Sequence, residues 1–129
     1  MLLKLKTNNS YTFLALIFSV CVETSEKNIN SKWCDEIKGY SEFRTKYGTY
    51  VDCLTDIYAV EAEYDYNWKE AIGQSLHYSE ATKKLPAILF IKRLKSKKNY
   101  LYELQETINH HELNIKIFVI DEQGIIIKE

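Results

Sequence analysis

Hydrophobic and polar positions along this chain change period several times, and each change marks an element. Residues 42–45, 50–54 and 57–64 read as extended segments, separated by the turn pairs Tyr47-Gly48 and Thr55-Asp56, so a β-meander is expected there. From residue 67 to 82 the period becomes helical: Trp68, Ala71, Ile72, Ser75, Leu76 and Ser79 fall at i, i+3, i+4 and i+7 and predict one core-facing stripe. Lys83-Lys84-Leu85-Pro86 stops that helix, and the unbroken apolar run 87–91 predicts a strand covered on both faces. A second helix over 96–111 places Tyr100, Leu101, Leu104 and Ile108 on one side, and strands are expected at 115–120 and 125–128. Before the meander, Ser31 can cap a short helix over 32–38 that Gly39 would end, while 23–31 reads as a flexible polar lead-in. The order is α, β, β, β, α, β, α, β, with no internal repeat.

The N-terminus has a different character. Lys4 and Lys6 precede a polar stretch and then an uncharged run over residues 13–22, the layout of a secretory signal. That run is shorter than the ~20 apolar residues needed to cross a bilayer, so removal is expected and no stable membrane span would remain. Ser19 and Cys21 offer small residues for cleavage after Cys21, whereas lipidation of Cys21 would want Leu in place of Phe18. The expected division is a signal over 1–22, the lead-in over 23–31 and one domain over 32–129, secreted or periplasmic.

Composition fits a single globular unit. The 129 residues are 46% apolar and include 2 Trp, 10 Tyr and 5 Phe, enough to fill a small core, while 1 Pro and 4 Gly exclude collagenous and linker-like chains. A formal net charge of −1 removes bulk basicity as a reason to bind nucleic acid. The distribution matters more. Residues 50–68 contain Asp52, Asp56, Glu61, Glu63 and Asp65 and no Lys or Arg; residues 83–98 contain Lys83, Lys84, Lys92, Arg93, Lys95, Lys97 and Lys98 and no acid. Carboxylates that hold a cation beside ammonium groups that hold a polyanionic backbone would suit a metal-dependent enzyme acting on nucleic acid. A basic strip also reads as a plain solvated face. With the signal gone, two cysteines remain, Cys34 and Cys53; an oxidising compartment invites a disulfide between them, a reducing one would leave buried thiols.

A hairpin through Thr55-Asp56 sets Leu54 opposite Ile57, Cys53 opposite Tyr58 and Asp52 opposite Ala59. Glu61 is then the diagonal neighbour of Asp52 on the same face, and Glu63 follows by the period of two. Three carboxylates so placed repel unless protons, water or a divalent cation relieve them. On the next helix Gln74 and Tyr78 share a face at i, i+4, beside the apolar stripe.

Asp52, then Glu61-Ala62-Glu63, then Gln74-Ser75-Leu76-His77-Tyr78 resembles the Asp…Glu-x-Lys…Gln-x-x-x-Tyr series of the PD-(D/E)XK nuclease superfamily, particularly its RecB-like branch. More narrowly, the stretch from DCLT through EAIGQSLHY is similar to a group of small secreted bacterial proteins in which an earlier Cys accompanies the one in DCLT. The resemblance covers about residues 33–92 and implies an α/β, restriction-endonuclease-like αβββαβ core with a central mixed sheet flanked by helices. It further implies Asp52 and Glu61 as ligands of Mg2+ (or Mn2+), and Gln74 and Tyr78 as supports. Lys92, Arg93, Lys95, Lys97 and Lys98 would then grip nucleic acid. Glu63 stands where that superfamily usually has Lys, so Glu63 or Lys69 must position water, or activity is lost. His110-His111-Glu112 reads as a solvated helix end, His77 as a solvated side chain, and Glu36 or Glu42 as a further acidic group. A secreted metal-dependent phosphodiesterase is the leading expectation; the alternatives are a non-catalytic binding module of this fold and a small disulfide-stabilised envelope protein.

Overall fold

The structure is a computed structural model that describes residues 6–7, 10–11 and 25–128, so the segment expected to be a signal, with Cys21, lies largely outside the described residues. A short pair, β1 (Lys6–Thr7) and β2 (Ser10–Tyr11), precedes the main body. Then follow α1 (Glu26–Glu36), β3 (Tyr40–Arg44), β4 (Tyr50–Leu54), β5 (Tyr58–Tyr64), a 3-10 turn (Asp65–Asn67), α2 (Trp68–Thr82), β6 (Leu85–Lys92), α3 (Tyr100–His110), β7 (Lys116–Asp121) and β8 (Ile126–Lys128). Strands β3 to β8 form one six-stranded mixed sheet in sequence order. The β5–β6 and β6–β7 pairs are parallel and the others antiparallel. This is an α/β fold.

Two apolar layers sandwich the sheet. Ile29, Trp33 and Cys34 of α1 pack with Cys53, Val60, Ala62, Ala87, Leu89 and Ile91 on one face. Trp68, Ala71, Leu104 and Ile108, from α2 and α3, pack with Ile88, Phe90 and Val119 on the other. The apolar run of β6 is buried on both faces, as a central parallel strand must be.

Three local expectations are corrected. The first helix starts at Glu26, not after Ser31; Ser25 caps it by accepting from the Asn28 N–H at 3.3 Å, and Ile29 and Asn30 are buried. The β4–β5 register pairs Cys53 with Val60 and Leu54 with Ala59. Thr55 N–H donates to the Tyr58 carbonyl while Thr55 Oγ1 accepts from the Ile57 and Tyr58 N–H groups, moving the turn one residue along. On α2, Tyr78 takes a core position and Leu76 is 39% exposed, because the buried stripe runs Trp68, Ala71, Ser75, Tyr78.

Cys34 and Cys53 form a disulfide with Cα atoms 5.7 Å apart, fastening α1 to β4. Gly39 lies against it, and a Cβ there would collide with both sulfur atoms. Among the described residues, no helix is long and apolar enough to cross a membrane.

Candidate active site

Carboxylates collect where β4 and β5 part. Cys53–Val60 and Leu54–Ala59 are the ladder pairs between these strands; beyond them Asp52 Oδ2 accepts from the Ala62 N–H at 2.8 Å, a side chain taking the place of a strand. The Asp52 carbonyl accepts from Asn30 Nδ2 of α1 at 2.9 Å. Because the register moved by two residues and not one, Asp52 and Glu61 stay on one face, and they hydrogen-bond each other directly. Glu61 and Glu63 stand beside Ile88 and Phe90 of β6, on the layer that α2 covers, and are only 4% and 8% exposed.

Their electrostatics follow from that burial. Desolvation, then the charge and hydrogen bond of Asp52, push the Glu61 carboxyl up to about 10. Burial also raises Asp52, against the opposing hydrogen bond from Ala62. Glu61 therefore keeps the proton and Asp52 accepts from it. Glu61 Oε2 is buried with no hydrogen-bond partner among the described residues. Glu63 is held firmly: Oε1 accepts from the Tyr64 N–H at 3.0 Å and from Asn67 Nδ2 at 3.1 Å. Asn67 occupies the N-cap position of α2 yet gives its side chain to Glu63 instead of to the helix.

A fourth carboxyl comes from a place the sequence did not flag. Glu26, in the first turn of α1, hydrogen-bonds Glu63 and is pushed up to about 8 by burial, then by that bond and by the charges of Glu63 and Asp52. Ser25, followed three residues later by a helical N–H to cap and by Ile29 and Trp33 at i, i+4 spacing, is the signal that locates this helix. Of the two acids considered for this role, Glu42 bears electrostatically on Asp52 and ion-pairs with Lys27 at 3.7 Å, and Glu36 is exposed at the end of α1.

Tyr78 joins the cluster from α2. Its hydroxyl donates to Gln74 Oε1 at 3.3 Å, and burial, followed by the charges of Glu61, Asp52 and Glu42, pushes it up to about 12. Lys69 is exposed, its ammonium 5.6 Å above the Trp68 ring. His77 faces Thr49, with Nε2 3.0 Å from Oγ1, and His110 and His111 meet edge to face at the exposed end of α3.

The basic strip divides. Arg93 Nε donates to the buried Asp65 at 2.6 Å, and Lys98 pairs with Glu103 at 3.0 Å. Lys92, Lys95 and Lys97 are exposed.

The donor set fits a divalent cation. All groups are hard oxygen donors, two of them share a proton that a cation could replace, and Glu61 has an oxygen with no partner. Among the described residues, no three His, Cys, Asp or Glu side chains form a ready cage. Mg2+ does not require one, since it is commonly held by one or two carboxylates together with water and substrate phosphate.

A protein of Acanthamoeba polyphaga mimivirus, named for containing a KilA-N domain, is 32% identical to this chain over 108 residues. The match covers 84% of this chain but 30% of the viral protein, so the chain spans under a third of that relative. No family model and no solved structure matches the chain.

Proposed function

We propose that this domain acts on nucleic acid, as a divalent-cation-dependent phosphodiesterase of the PD-(D/E)XK type. The observation that carries the proposal is the buried Asp52–Glu61 pair, with one carboxylate oxygen unpartnered in a site that also gathers Glu26 and Glu63. A protein interior does not concentrate acids this way for stability. The viral relative, named for a KilA-N domain, supports the nucleic-acid side of the proposal.

Asp52 and Glu61 would hold Mg2+ or Mn2+, which when bound supplies polarisation of a phosphoryl oxygen and a more acidic water. The protein's own groups do the rest. Ala62 N–H fixes the Asp52 carboxylate, and Asn67 with the Tyr64 N–H fixes Glu63, which also hydrogen-bonds Glu26. Tyr78, hydrogen-bonded to Gln74, would close the α2 side of the pair. Lys92, Lys95 and Lys97 would hold backbone phosphates. The disulfide supports an oxidising compartment, in keeping with export.

Plasmid and single-stranded RNA incubated with Mg2+ or Mn2+ test this. Wild type should nick or degrade at least one substrate, and Asp52→Asn and Glu61→Gln, which keep shape and hydrogen bonding, should not. A wild type that cuts nothing, or an Asp52→Asn variant that cuts equally well, leaves the non-catalytic binding module as the better account.

A further inference from the structure

Beyond the carboxylates, the parallel strands β5, β6 and β7 deliver a second set of residues to one end of the sheet. Their C-terminal ends lead into Tyr64–Tyr66, the 92–99 loop and Asp121 respectively, and the register aligns Tyr64 with Ile91 and Lys92 with Asp121. The rings of Tyr64 and Tyr66 lie nearly parallel, 9° apart in plane with centroids 6.0 Å apart. The Arg93 guanidinium sits 4.5 Å from the centre of the Tyr66 ring. Asp65, almost fully buried, holds that guanidinium in place. Tyr66 is 47% exposed, so part of its ring is open to solvent.

Acids and bases meet around it: Asp65 is taken by Arg93, Asp121 lies opposite Lys92, and Glu122 accepts from the Leu94 N–H. Among the described residues Lys92, Lys95 and Lys97 make no ion pair, and a cleft of about 230 Å3 has Asp65, Lys92, Ser96, Lys97, Asn99 and Tyr100 in its lining. With the Arg93 guanidinium over one face, the exposed remainder of the fixed Tyr66 ring suits a nucleobase, and unpaired ammonium groups suit the phosphates on either side. A ring lying against the protein surface reaches a base only if that base is out of a duplex.

We propose that Tyr66, braced by Arg93 and Tyr64, is a stacking platform for an unpaired nucleobase, and that Lys92, Lys95 and Lys97 hold the backbone of the same single strand. This rests on the nucleic-acid reading above but not on its metal chemistry. The site makes single-stranded segments the preferred substrate, and places the strand across the end of β5 next to Glu63.

Fluorescence anisotropy of labelled 12-residue DNA and RNA oligonucleotides, single-stranded and as the matching duplex, tests this with the full oxidised chain in EDTA. Wild type should bind single strands more tightly than duplex. Tyr66→Ala should weaken single-strand binding by about tenfold or more, and Tyr66→Phe should restore it. The double variant Lys95→Ala, Lys97→Ala should lower the slope of log affinity against log salt by about 1.4. Far-UV circular dichroism confirms that each variant is folded. Equal binding by Tyr66→Ala, a preference for duplex, or no binding by wild type would each overturn the proposal. Since EDTA removes the cation, a failure of cleavage alone leaves it standing.

Discussion

Replacing Glu61 by Gln should make the apo protein more stable at neutral pH, by an amount that grows with pH. The folded state holds the Glu61 proton up to about 10, against 4.5 for the free side chain. A raised carboxyl has its stabilising contribution in full below 4.5 and loses it as pH rises towards 10, because the unfolded chain can ionise and the fold resists. Between 4.5 and pH 7 lie about 2.5 pH units, and at about 1.36 kcal/mol per unit the penalty at pH 7 is about 3 kcal/mol. Gln carries no such penalty and its amide can still donate to Asp52. For a domain of this size the gain corresponds to about 10 °C or more in Tm. Thermal and urea unfolding in EDTA at pH 4.5, 6, 7 and 8.5 reads it directly. The two proteins should converge at the acid end and separate steadily above it. A cation arm sharpens the test: saturating Mg2+ at 100 times Kd should raise wild-type stability by about 2.7 kcal/mol and leave Glu61→Gln nearly unchanged. A variant no more stable than wild type at pH 7, or a gain independent of pH, would refute the assignment of a buried shared proton.

Two further outcomes follow from the packing. Gly39→Ala, whose new methyl meets both sulfur atoms, should yield protein with two titratable thiols and a loss of about 3 kcal/mol, close to the loop-closure value for a 19-residue separation; thiol titration with urea unfolding checks it. Arg93→Ala, which strands the buried Asp65, should lower Tm in differential scanning fluorimetry, and Arg93→Lys should recover only part of the loss because an ammonium cannot reproduce the guanidinium's planar contact with Tyr66.

Periodicity revealed the sheet and both long helices because the chain is regular where it is buried. The carboxylate convergence was legible despite an incorrect register, since a shift of two residues leaves every side chain on its own face. Glu26 was invisible because α1 shows only a narrow apolar stripe, Ile29, Trp33 and Cys34, inside a polar sequence; it is the docking of these residues on β4 and β5 that pays for the helix. Tyr78 was placed beside the core and lies in it, since its hydroxyl finds Gln74 and its ring can be buried. The basic strip was a charge pattern with no partners attached, so nothing in it could separate Arg93 and Lys98, committed to Asp65 and Glu103, from the three lysines left in water.

The parting of β4 from β5 also affects how substitutions among relatives should be interpreted. Asp52 has two duties, one electrostatic and one as acceptor for the Ala62 N–H, and the second persists if chemistry is lost. A lineage that abandoned catalysis would therefore still be held to Asp or Asn at 52, while the buried acid at 61, which only weakens the fold, would drift to an apolar residue. An acid retained at 61, more than one retained at 52, is the mark of a site under selection for chemistry.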